Sequence, residues 1–112
     1  MAGDALTLEL FGPLRAAAGS VALTGFRTEK VRALLAYLAV ESDRPQQRTS
    51  LATLLWPDMP DDIALRNLRK TLHRLHGVLT PALGSAADRL LPSSRQTIQL
   101  AAAMCRVDVV SF

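Results

Sequence analysis

Arg66, Asn67, Arg69, Lys70, His73 and Arg74 lie within nine positions of one another. All carry hydrogen-bond donors, and most carry positive charge. A guanidinium bonds bidentately to guanine and a carboxamide to adenine, while any of the cations can neutralise a phosphate. Between them run Leu65, Leu68, Leu72, Leu75 and Leu79, spaced by threes and fours. That spacing puts the leucines on one side of a helix and the donors on the other. Such a helix buries its leucines and offers a donor-rich face to a DNA groove. An ordinary solvated helix face has the same composition, so the surrounding elements carry the decision.

The donor helix should begin near Pro60, with Asp61 and Asp62 in its first turn, where the helix dipole favours negative charge. Gly77 and Pro81 are expected to bracket its end. Ahead of it, Gln47 to Leu55 reads as a short helix with Leu51, Leu54 and Leu55 on one face. Pro57 disfavours helical geometry at Trp56 and so stops it. Arg48, Thr49 and Ser50 open this short helix. Their side chains and its free amides can hold a phosphate, although plain capping explains Ser50 equally well. A short helix, a turn and a groove-reading helix make a helix-turn-helix.

Further out, Thr28 is an N-cap followed by Glu29, and Val31 to Val40 is apolar nearly all round, a helix to be covered by a sheet and by other helices. Leu6-Thr7-Leu8-Glu9-Leu10 alternates as a half-buried strand does. Phe11-Gly12-Pro13 interrupts it, and Leu14-Arg15 is read as its continuation. Gly19-Ser20 marks a turn before a short strand at Val21-Ala22-Leu23. On the other side of the donor helix, Ala82 to Ala87 reads as a small-residue linker. Arg89-Leu90-Leu91 and Gln96-Thr97-Ile98-Gln99-Leu100 read as two strands of a hairpin, with Pro92-Ser93-Ser94-Arg95 at its tip and Ile98 and Leu100 inward. Arg95 would meet backbone or minor groove, or be a plain surface arginine. Val107-Asp108-Val109 is a candidate last strand. The expected class is α+β: a winged helix-turn-helix with a small N-terminal antiparallel sheet over 5–27, a three-helix core over 28–81, a wing hairpin over 88–100 and a junction over 101–112.

Charge supports a polyanionic partner. Residues 1–62 hold six Lys/Arg and eight Asp/Glu, a net of −2, and residues 63–112 hold seven Lys/Arg against Asp88 and Asp108, a net of +5. The positive field thus gathers in the half with the donor helix. The 112 residues suffice for one core, no apolar run approaches the length of a membrane span, and the start lacks the features of a secretory signal. Cys105 is the single cysteine, so no internal disulfide is expected, and a cytoplasmic location is the default. His73 and His76 have a metal-compatible spacing but no converging third ligand, and Asp58, Asp61 and Asp62 are explained by helix capping. No cofactor, metal or catalytic site is expected.

The ordered segments resemble the winged-helix DNA-binding domain of SARP and AfsR-like bacterial transcriptional regulators, itself related to the OmpR/PhoB effector domain. Leu8-Glu9-Leu10-Phe11-Gly12-Pro13-Leu14-Arg15 is similar to the family's opening strand, and Lys30 to Ala39 to its first helix. Leu51-Ala52-Thr53-Leu54-Leu55-Trp56-Pro57-Asp58 matches its second helix and exit, Asn67 to Leu75 its recognition helix, and Arg95 to Leu100 its second wing strand. Val107 to Phe112 looks like the junction to a downstream activation domain, which would lie outside this chain. Lys70 stands where the family usually has Gln, and Pro92-Ser93-Ser94 where its wing often has glycine. The resemblance implies sequence-specific binding of double-stranded promoter DNA, commonly at tandem repeats, with a dimer on DNA as a compatible arrangement. Arg66, Asn67, Arg69, Lys70 and His73 would meet bases, and Arg48, Thr49, Ser50, Arg74 and Arg95 the backbone. The alternative is a winged helix that docks onto RNA polymerase or a partner domain, since fold does not fix function.

Overall fold

A computed structural model of the chain describes residues 6–9, 15–18, 21–23, 26, 28–42 and 44–108. Alternating Leu6 and Leu8, both fully buried, make β1 (Leu6–Glu9) the strand that faces the core. It pairs antiparallel with β2 (Arg15–Ala18), which pairs antiparallel with β3 (Val21–Ala22). Arg15 therefore opens a new strand and does not continue the first. Leu10 and Leu14, read above as strand, the interruption at 11–13 and the turn at 19–20 lie outside the described residues.

Helix α1 (Glu29–Val40) starts at Thr28, whose Oγ1 accepts the Val31 amide at 3.3 Å. Val31, Leu34, Leu35, Leu38 and Ala39 are buried, while Ala33 and Val40 are exposed, so one side of this mostly apolar helix faces water. Then come β4 (Gln46–Gln47), α2 (Arg48–Leu55) and α3 (Asp61–Leu83). The α2–α3 turn is tied by Trp56 N–H to the Ala52 carbonyl at 2.9 Å and Met59 N–H to the Trp56 carbonyl at 3.2 Å. Leu51, Ala52 and Leu55 are the buried face of α2, whereas Leu54, expected beside them, is 52% exposed.

Three expectations are corrected C-terminal to the turn. Helix α3 does not end at Gly77 or Pro81 but runs through both to Leu83. Leu79 is fully buried and Leu83 packs against the core, so tertiary burial overrides the poor helix propensity of glycine and proline. The helix stops at Gly84, whose φ of 57° suits a residue without Cβ. Next, Arg89-Leu90-Leu91 is not a strand. Ala86–Leu90 forms a short helix, α4, in keeping with its alanine and leucine content, and buries Ala87 and Leu90. The expected wing over 88–100 accordingly contracts to a tight hairpin with a bridge between Ser93 and Ile98, and its second arm, β5 (Thr97–Ile98), pairs antiparallel with β4. Last, the N-terminal sheet is not wholly antiparallel. After a 3-10 turn at Ala102–Met104, β6 (Cys105–Asp108) pairs parallel to β1, giving the order β3-β2-β1-β6. Part of the expected junction over 101–112 is thus a strand of the domain, and 109–112 lie outside the described residues.

The core joins all these parts. Leu6 and Leu8 from the sheet, Leu34, Leu35 and Leu38 from α1, Leu51 from α2, Leu68, Leu75 and Leu79 from α3, and Leu90, Leu91, Ile98 and Leu100 from the C-terminal part form one buried cluster. Helix α2 packs chiefly on α3, which fixes the helix-turn-helix as a unit.

Candidate nucleic-acid interface

Helix α3 divides its residues as its periodicity requires. Ala64, Leu68, Thr71, Leu72, Leu75 and Leu79 are buried. Arg66, Arg69, Lys70, His73 and Arg74 are exposed and Asn67 is half-buried. At ~100° per residue these six polar residues fall within an arc of ~160°, opposite the buried set. They are spread over ~12 Å of helix at ~1.5 Å per residue, about the width of a major groove. The structure thus brings together every base-contact residue expected from sequence.

Their charges are not spent internally. Among the described residues, no carboxylate lies within 4 Å of Arg66, Arg69, Lys70 or Arg74; the close pairs of basic and acidic side chains elsewhere include Arg44 with Glu41 and His76 with Asp88. The latter joins α3 to α4, with His76 Nδ1 3.9 Å from Asp88 Oδ1. His76 therefore faces α4, and no cluster of three or more metal-ligating side chains forms among the described residues. Asp61 and Asp62 occupy the first turn of α3, where they complement the dipole.

The expected backbone-contacting residues fall at two neighbouring places. Thr49 and Ser50 are exposed at the start of α2. The N-cap there is Gln47 and no side chain caps the helix, so capping does not account for Ser50. Arg95 is exposed at the wing turn. Arg48 joins the two places, because its Nε donates to the Ser94 carbonyl at 2.9 Å and its amide to the Gln96 carbonyl at 2.8 Å. Arg74 sits on the flank of α3 beside Asn67 by helical spacing.

Two positioning residues escaped the sequence reading. Ser94 Oγ accepts the amides of Gln96 at 3.2 Å and Thr97 at 3.0 Å and lies 3.0 Å from Thr97 Oγ1. A serine hydroxyl that accepts downstream amides organises a turn without glycine, so the Ser-Arg-Gln-Thr run was the available signal. Lys30 donates from Nζ to the Leu55 carbonyl and lies 5.6 Å from the centroid of the Trp56 ring. A cation at the carbonyl end of α2 complements the dipole and fixes the exit into the turn. No local signal foretold it, since the partners are 25 residues apart.

Neither family models nor curated proteins compared with the chain give a match. Among solved structures, Mycobacterium tuberculosis EmbR, determined in complex with a low-affinity phosphopeptide, is similar with a TM-score of 0.74 and 26% sequence identity. The match covers 92% of this chain and 27% of the EmbR chain, so this chain spans about a quarter of that regulator. No helix among the described residues is long and apolar enough to cross a membrane. The shared fold, extending over nearly all of the chain, makes this an α+β, SARP-like winged-helix domain of the kind found in the regulator EmbR.

Proposed function

We propose that this domain binds double-stranded DNA sequence-specifically as a module of a cytoplasmic bacterial transcriptional activator. The observation that carries the reading is the α3 face, whose cations have no carboxylate partner among the described residues. Helix α3 enters the major groove. Arg69 and Lys70 reach the groove floor, with Arg66, Asn67 and His73 on neighbouring base edges. Arg74, Thr49 and Ser50 meet phosphates, and Arg95 carries the wing to the adjacent backbone or minor groove. A dimer on tandem promoter repeats is compatible with this arrangement.

The test is fluorescence anisotropy against the DNA upstream of the chain's own gene, titrated with salt. Binding should weaken with a log–log slope of about −0.9 per phosphate neutralised. Affinity that does not change with salt overturns the proposal.

A second reading rests on exposed apolar side chains. Leu54 and Met59 are 52% and 48% exposed; Met59 directly follows the exposed Asp58 and precedes Asp61 and Asp62, while Leu54 lines a shallow depression with Thr49, Ser50 and Thr53. Exposed apolar groups rimmed by charge suit a protein contact, with RNA polymerase or a partner domain. Polymerase binding together with no duplex binding at low salt would favour this reading over the first.

A further inference from the structure

The wing is joined to the body by little backbone. The β4–β5 ladder has two pairs, Gln46 with Ile98 and Gln47 with Thr97. Arg48 follows directly and extends the contact onto the turn. Its amide holds the Gln96 carbonyl, on one arm, and its guanidinium Nε holds the Ser94 carbonyl, on the other. The Ser94 hydroxyl takes the Gln96 and Thr97 amides, while the Ser94 carbonyl accepts from Arg48. Arg95 stands between Ser94 and Gln96 in the chain, the residues whose carbonyls are clamped, and is exposed. The turn that carries Arg95 is closed on itself by the Ser94 amide to the Thr97 carbonyl at 2.8 Å, and the two Arg48 bonds tie that turn to the first residue of α2.

We infer that Arg48 is a positioning residue, a latch that fixes where the wing presents Arg95 to DNA, and that it does not itself serve as a phosphate contact. This rests on the DNA-binding reading above. The guanidinium is suited to the task because its Nε–H is a directional donor partway along the side chain, a group that lysine lacks. Arg48 is also the first residue of α2, so the latch refers the wing to the same rigid unit that carries α3.

The test combines two measurements on the wild-type chain and the variants R48A, R48K, S94A, R95A and R48A/R95A. The first is anisotropy with a labelled random-sequence duplex across a salt series. R95A should reduce the magnitude of the salt slope by about 0.9, one phosphate contact. R48A should reduce it equally, the double variant no further, and R48K should fail to restore it. S94A should reduce it too, although it removes no charge. Additive losses in the double variant, or full restoration by R48K, overturn the latch and make Arg48 a direct phosphate contact. The second measurement is amide hydrogen exchange at Gln96 and Thr97 in the free protein, which R48A and R48K should both accelerate. Unchanged exchange overturns the latch regardless of DNA. Faster exchange in variants of a chain that binds no duplex would instead overturn the DNA-binding reading, and with it the presentation of Arg95, while leaving the clamp itself established.

Discussion

Arg69 and Arg74 lie on the same exposed face of α3 but should do different work. Arg69 lies about midway along the length of the donor face, at one edge of its arc, where a guanidinium can span the two acceptors of guanine; Arg74 lies at the C-terminal end of the set and near the opposite edge. Replacing Arg69 with alanine should therefore lose about 1–3 kcal/mol of discrimination between the preferred site and a single-base variant. Arg74→Ala should weaken all duplexes alike and reduce the salt slope by about 0.9. Competition anisotropy with matched and mismatched duplexes separates the two, and equal loss of discrimination in both variants would sink the division. Lys70 is a different case. A lysine is a point charge without the two-sided hydrogen bonding of the glutamine that the family resemblance leads one to expect at this position, so on the DNA-binding proposal it would contribute attraction with less directional readout.

At the scale of elements, α3 separates what local sequence can say from what it cannot. Its start and its two faces were legible, because Asp61 and Asp62 mark a helix N-terminus and the leucine spacing sets the buried side. Its end was not. Gly77 and Pro81 carry stop signals, yet the burial of Leu79 carries the helix on to Gly84. Two glycine variants check this. Gly77 is exposed and helical, with open space where a Cβ would stand, so Gly77→Ala should stabilise the protein by about 0.8–1 kcal/mol. Gly84 has positive φ, so Gly84→Ala should destabilise by about 1–3 kcal/mol despite equally open space. Urea unfolding measures both, and the opposite pair of signs would place the helix end near Gly77. The wing was legible only in part: Ile98 and Leu100 are inward as their alternation implies, but Arg89-Leu90-Leu91 is apolar in a way that fits a short buried helix as well as a strand. Periodicity cannot arbitrate over so few residues. The pairing of β5 with β4 and the link from Arg48 to Ser94 depend on residues far apart in the chain, and no local pattern announces them.

For the molecule as a whole, stability and the candidate interface share one cluster. Leu34 is fully buried in α1, in the core that also contains Leu8 of the sheet and Leu68 and Leu75 from the inner side of α3. Leu34→Ala should cost about 2–5 kcal/mol, measured by denaturant titration. Because the donor arc lies on the opposite side of α3, the fraction that remains folded should bind DNA with unchanged salt slope. A changed slope in the folded fraction would mean that the core also sets the position of the donors.

The parallel seam between β1 and β6 bears on how the domain carries tension. Leu6 faces Cys105 at one end of the ladder and Glu9 faces Asp108 at the other. A force pulling backward on Leu6 and forward on Asp108 slides the two strands past each other, so the hydrogen bonds of the ladder share the load. A force on Leu6 and Ala18 instead peels apart the antiparallel β1–β2 pair from the end where Thr7 faces Ala17, one bond at a time. With optical tweezers, handles at Leu6 and Asp108 should give the higher rupture force. Held by those two flanks, the winged helix would resist traction as a lap joint does and yield least along the line joining them.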